Sequence, residues 1–301
     1  MRAVGSLLVL GAALLLAACG GSSDEADPDL LLVSTRDGVY AVYALSTSGG
    51  DEQRLTAADA DASTPQGLFF QTEPAWSPEG STIAFASKRS GSFDLFAMSS
   101  DGTGTRRLTS TSDDDSQPTW SPDGTRIAFA RGASSRLFVM DADGSGAQRL
   151  TDEENQEGEP AWSPDGRWIA YVRKAPGTSI RELWLVRPDG SQGRPLTRLG
   201  GVAHAPSWSP DGRRIVFSAN VRDNRFDIYT VGADGKGVHR VTSGEDSFEP
   251  AWSSDGKTIA FSKEGAIFAI DVETGDERML TDPKNNDSSP AWRPRPEGED
   301  D

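Results

Sequence analysis

Cysteine occurs once in this sequence, at position 19, and histidine only twice, at His204 and His239. A single cysteine excludes an internal disulfide framework. Two histidines leave little from which to build a histidine-rich metal site or a Ser-His-Asp triad. No G-x-S-x-G elbow, H-E-x-x-H helix or phosphate-cradling P-loop occurs anywhere in the chain. After the first twenty residues long apolar runs are missing as well. The apolar residues come instead in short pieces such as "IAFA" and "LFVM", without the stripe a helix would need. Positive charge is scarce, with 30 Lys and Arg against 46 Asp and Glu and a net charge of −16. Such a surface repels phosphate backbones, which excludes nucleic acid as a partner.

What the sequence does have is repetition. "PAWSPEGSTIAF" at Pro74 is followed by close copies at Pro118, Pro160, Pro206 and Pro250, and by a truncated "PAWRP" at Pro290. The tryptophans fall at Trp76, Trp120, Trp162, Trp208, Trp252 and Trp292, with gaps of 44, 42, 46, 44 and 40. Repeats of that length are the mark of propeller blades.

Each copy parses into four strands. The first lies around Pro-x-Trp, and "SPDG" turns it into a second strand of the "IAFA" type, proline and glycine supplying the angles a tight turn requires. A third strand follows at Asp94, Arg136, Glu182, Asp227 and Ala266. A second glycine turn then leads to a fourth strand ending in Leu-Thr or Val-Thr at Thr109, Thr151, Thr197, Thr242 and Thr281. The N-terminal segment from Leu30 to Thr56 holds strands two, three and four but no Pro-x-Trp. The expectation is therefore an all-β, six-bladed β-propeller of four-stranded blades, closed by pairing of Pro290–Trp292 with the N-terminal blade.

The ends carry other signals. Arg2 and the apolar run after it read as a secretory signal over residues 1–18. "LAAC", Leu16 to Cys19, resembles the lipobox of bacterial lipoproteins, which implies cleavage before Cys19 and lipidation of it. Residues 19–29 are small, polar and acidic, a flexible tether. The propeller spans 30–292, and 293–301 form a disordered acidic tail.

The "PxWSPDGxxIAF" unit with its following "DG…RLT" resembles the WD40-like repeats of TolB-type six-bladed propellers, over about Leu30 to Trp292. That resemblance implies the fold and an extracytoplasmic, envelope location. The function expected is a lipid-anchored, non-catalytic scaffold that binds an envelope protein, peptide or glycan and touches the membrane through its N-terminal lipid. The alternative is an extracytoplasmic lyase or hydrolase acting on a saccharide or peptide in the central funnel.

Candidate site residues follow from what varies. The residue before each Pro-x-Trp is Glu73, Gln117, Glu159, Ala205, Glu249 or Ser289. Proline is expected to hold that residue extended, so that Glu73, Glu159 and Glu249 converge on the tunnel mouth with His204 nearby. No cofactor is expected, with calcium on the three carboxylates as the one candidate, since oxygen-only ligands suit it. The loop after Thr56 is seventeen residues long against seven or eight elsewhere, and Leu68, Phe69 and Phe70 in it are either partner anchors or a lid tucked against the propeller itself. Bases after the second strands, among them Arg36, Lys88, Arg89, Arg131, Arg173 and Lys263, form either a recognition face or a set of neutralised surface charges. "DADGSGAQRLTD", Asp141 to Asp152, approaches a calcium-loop spacing but is read as a structural hairpin, because the other repeats carry the same turn without those ligands.

Overall fold

The computed structural model of the chain describes residues 28–48, 52–56, 73–151, 155–221 and 224–295. Among them are twenty-four β-strands and one short 3-10 turn, Pro283–Asn285, so the chain is an all-β propeller. The first strand begins at Leu30 and the last ends at Trp292. Every repeat is an antiparallel meander, as in Thr82–Ser87 paired with Asp94–Ser99 and that with Arg106–Arg107.

Both faces of a blade are buried against neighbours, which is why the second and third strands read as continuous apolar runs rather than alternating ones. Ile83, Phe85, Phe96 and Met98 pack on Leu31, Val42 and Ala44 of the preceding unit. From the opposite face, Ala84, Ala86, Leu95 and Ala97 receive Ile127, Phe129 and Met140 of the next. One face is large and the other small, so consecutive blades interlock at close-packed density.

Two repeated motifs tie each blade internally. The threonine ending the fourth strand accepts a backbone N–H from the third: Val42 to Thr56, Leu95 to Thr109, Leu183 to Thr197, Ile228 to Thr242 and Ile267 to Thr281, all at 2.9–3.0 Å. Thr151 departs from the series and bonds Glu157 instead. Replacing Thr109 by valine keeps the shape but leaves the Leu95 amide without a partner, so urea melts should show a loss of about 1–3 kcal/mol. An unchanged midpoint would mean the threonine only fills space. The "SPDG" turns are the second device. Ser121 Oγ donates to Asp123 Oδ1 at 2.5 Å and accepts from Arg126 N at 2.9 Å, while Thr125 N donates to Asp123 at 3.0 Å. The turn glycine lies at positive φ, and a Cβ on Gly256 would stand 3.1 Å from Pro210 of the preceding turn. The serines and aspartates of this motif are thus occupied by the turn itself, as the repeat suggests.

The strands do not fall into six separate sheets. Four are four-stranded, and the fifth has eight strands, in which the meander from Glu157–Trp162 to Arg194–Pro195 joins that from Val202–Trp208 to His239–Arg240. The join is a parallel pairing of Arg181 with Val202, supported by Arg181 N donating to Gly201 O at 3.0 Å. Glycine and a longer acid explain it. A Cβ on Gly201 would lie 2.2 Å from Asn220 O, so only glycine lets the chain run this close. Glu182 reaches the connecting loop, where two other repeats carry the shorter Asp94 and Asp227, and accepts from Leu199 N at 2.6 Å and Gly200 N at 2.8 Å. In the remaining four-stranded sheet Ser288–Trp292 pairs antiparallel with Leu30–Ser34, Trp292 opposite Leu30 and Ala291 opposite Leu31. Arg36 bonds Asp287 at 3.0 Å across the same seam.

Candidate functional site

The X-Pro-x-Trp segments of all six repeats line one cavity of about 380 Å³ that runs along the first strands. The lining extends from the residue before each proline, past tryptophan, to the prolines of several "SPDG" turns. The carboxylates therefore bound the cavity at one end, with walls of proline, alanine and indole beyond them. Trp120 and Trp208 brace that wall by donating their indole N–H to the carbonyls of Ala75 and Ala161 in the preceding copies, at 3.2 and 3.0 Å.

The backbone at the key position differs from the extended form expected before proline. Gln117, Glu159, Ala205, Glu249 and Ser289 all lie at φ between 50° and 59°, in the left-handed region. The pairing of first and second strands slips at each of these positions, between Gly158 and Ala161 for instance and between Phe248 and Ala251. Proline forbids the ordinary helical conformation to its predecessor but not this one. A bulge there re-aims the side chain out of the sheet, and left-handed non-glycine residues of this kind are strained and cluster at functional sites.

Re-aimed, these side chains form clasps from one unit to the next. Gln117 Oε1 accepts from Glu159 N at 2.8 Å, Glu159 Oε2 from Ala205 N at 2.5 Å, and Glu249 Oε2 from Ser289 N at 2.7 Å. Alanine at 205 interrupts the series. Glu73, Glu159 and Glu249 do come together, close enough to act on one another electrostatically. Burial, followed by the Glu159 and Glu249 carboxylates, pushes the Glu73 carboxyl well above its usual range, opposed by a hydrogen bond with Gln117. Burial also raises Glu249, against the bonds from Ser289 and Ser262. Among the described residues no group of three or more Asp, Glu, His or Cys is arranged to hold a metal ion.

His204 lies where the sequence suggested, its Nδ1 2.8 Å from Glu159 Oε1. Two residues that sequence reasoning missed accompany it. The Phe226 ring is 5.8 Å from His204 and 5.0 Å from Phe248. The signal was available: the residue two before each proline is Ser116, Gly158, His204, Phe248 or Ser288 in the described repeats, so two neighbouring copies depart from the small-residue pattern.

The bases after the second strands take a structural part. Arg36, Arg89, Arg131, Arg173 and Lys263 lie over Tyr43, Phe96, Phe138, Trp184 and Phe268, with the cation 4.1–4.7 Å from the ring centroid. Arg131 also bonds the buried Asp115 at 2.6 Å. In "DADGSG" the Asp143 carboxylate accepts from Ser145 N at 2.8 Å, an ordinary hairpin contact. Cys19, Leu68, Phe69 and Phe70 lie outside the described residues. No helix among the described residues is long and apolar enough to cross a membrane.

Comparison with known proteins agrees with this architecture. The family model of the TolB beta propeller domain matches residues 68–181 and 157–298. TolB from Acinetobacter baumannii superposes with a TM-score of 0.76 at 17% identity, over 89% of this chain and 67% of that one. A propeller in a nidogen/laminin complex gives 0.71 at 11% identity, over 88% and 98%. An oligogalacturonate lyase in complex with manganese gives 0.58 at 16%, over 83% and 73%. No curated protein matches the chain in sequence.

Proposed function

Because the chain belongs to the TolB beta propeller domain family, we propose that it is a non-catalytic binding scaffold of the bacterial cell envelope, taking a protein, peptide or glycan at its central tunnel and loop face. In this reading the eight-stranded sheet counts as two blades, and the pairing of Ser288–Trp292 with Leu30–Ser34 closes a ring of six. Lipidation at Cys19 anchors the ring outside the cytoplasm, with Leu68, Phe69 and Phe70 as partner anchors on the long loop.

The observation that carries the reading is the use of the tunnel carboxylates. One oxygen each of Glu159 and Glu249 is engaged by a backbone N–H group of the adjoining unit, which gives these carboxylates a structural use in joining repeats. The test is affinity capture with the lipidated protein, followed by mass analysis of what is held. An intact partner is expected, and material returned cleaved or unsaturated would reverse the assignment. Cys19→Ser should release the protein from membranes, and an unmodified Cys19 in the native membrane fraction would remove the anchor.

One observation favours the alternative, an enzyme acting on a saccharide or peptide. His204 is oriented by Glu159, the arrangement of a general base, and a lyase shares the fold. Calcium remains a proposal for the carboxylate ring. The account expects equal calorimetric heats on adding calcium to the parent and to a variant with Glu73, Glu159 and Glu249 replaced by glutamine. A saturable heat confined to the parent would place the ion there.

A further inference from the structure

Three rings form a shelf beside the carboxylates at the loop-face end of the tunnel. His204 and Phe248 stand at equivalent positions of neighbouring repeats, and Phe226 lies between them at 5.8 and 5.0 Å. The shelf spans a seam, because Phe226 precedes the third strand of one unit while Phe248 begins the first strand of the next. Asp246 of that second unit fixes Phe226 by accepting its backbone N–H at 2.8 Å.

Blade construction does not call for these rings. Phe93 occupies the place of Phe226 three units earlier and is held the same way, by Asp114 at 2.8 Å, yet its neighbour across the seam is Ser116. Phe248 is 37% exposed, one of four large apolar side chains left exposed among the described residues. An exposed aromatic in a position that other copies fill with serine or glycine costs solvation without adding to the core. The surrounding charge selects the ligand. Glu159 lies behind His204, Glu249 follows Phe248, and Glu245 and Asp246 precede it. Arg225, the base beside the shelf, is turned to the Gly244 carbonyl at 2.6 Å.

We propose that the His204–Phe226–Phe248 shelf binds an arginine side chain of a partner peptide, the guanidinium lying on the Phe248 face and its N–H groups directed to the carboxylates behind. A planar, weakly hydrated cation suits both surfaces, whereas lysine offers a point charge and no plane. This deepens the scaffold reading above and rests on it.

The test uses the full chain and a capped Gly-Gly-Arg-Gly-Gly peptide, with a glutamine analogue for comparison. Because the chain has two histidines, their imidazole NMR signals report the site directly. The arginine peptide should move the His204 resonance and leave His239 in place, and the glutamine analogue should bind about tenfold more weakly. Phe248→Ala should weaken binding about 3- to 30-fold, the span of one cation–π contact, with its melting temperature unchanged. Phe248→Tyr should retain binding. Equal binding of the two peptides, or Phe248→Ala binding like the parent, would overturn the proposal, as would a neutral disaccharide moving His204 where the arginine peptide does not. If the peptide fails while affinity capture still returns an intact partner, only this inference falls. Failure of both removes the scaffold reading.

Discussion

Ending the chain after Asp287 should cost at least about 3–5 kcal/mol, the loss expected for a core aromatic, while ending it after Pro294 should melt like the parent. The shorter chain lacks the strand Ser288–Trp292, which supplies the fourth strand of the N-terminal sheet. Leu30, Leu31 and Leu32, fully buried in the intact chain, would lose part of their cover, and Trp292 would leave the cluster it forms with Leu30, Leu32 and Tyr43. An unpaired strand edge would be exposed as well. Set against a typical stability of about 5–15 kcal/mol, the truncation should bring the protein close to unfolding at physiological temperature. Keeping Asp287 preserves its bond to Arg36, so the experiment isolates the strand. Equal urea midpoints for the two truncations would argue against a ring closed at this seam.

The second large effect is on pH. Glu73 and Glu249 titrate higher in the folded protein than their ordinary 4.5, burial being the first cause for both, and burial raises Glu157 and Asp94 in the same direction. A carboxyl raised on folding holds its proton more tightly in the native state. Its contribution to stability is full below its unfolded pKa and is lost as pH rises through the folded one. The turn aspartates behave oppositely. The hydrogen bond from Ser121 takes Asp123 down to about 2 from 3.8, and that from Ser209 lowers Asp211. Their contribution is present above 3.8 and disappears as pH falls toward the folded value. Melting temperature should therefore rise as pH falls toward the ordinary carboxylate value of 4.5 and drop once pH passes below 3.8, where the turn aspartates lose their advantage. Glu73→Gln should raise it most at the high end of the range, where the buried carboxyl of the parent is driven to ionise, and progressively less as pH falls. A Glu73→Gln variant less stable than the parent at pH 7.5 would show that the charged form is the one the fold uses.

The repeat was legible in the sequence because one structural unit recurs with its turn residues intact. The four-strand parse of each copy and its turns follow from "PxWSPDGxxIAF…RLT", whereas the interlocking of large and small faces and the bond at Thr109 emerge only from the packed structure. Irregular features were less legible. The eight-stranded sheet involves Gly201, whose close approach to Asn220 is visible only in three dimensions, and Glu182, which reaches Leu199 and Gly200 of the connecting loop. The left-handed residue before five of the prolines was hidden by the usual extended preference, since a bulge is a property of two strands and the sequence displays one. Glu73, Glu159, Glu249 and His204 stood out as candidates because they break or alternate within the repeat. Phe248 obeys the same logic one position before Glu249, and Phe226 stands just before the third strand of the preceding unit. They were overlooked because an aromatic in a strand-rich chain reads as core until its exposure is known.

The measurement that bears most directly on the scaffold account places a photo-crosslinking phenylalanine at Phe248 in the membrane-anchored protein, with the same group at Val238, which is 43% exposed in a fourth-strand turn, as control. The account predicts one crosslinked envelope partner from position 248, chemically intact, and none from 238. Equal labelling from both positions, or a partner recovered cleaved or unsaturated, would contradict it.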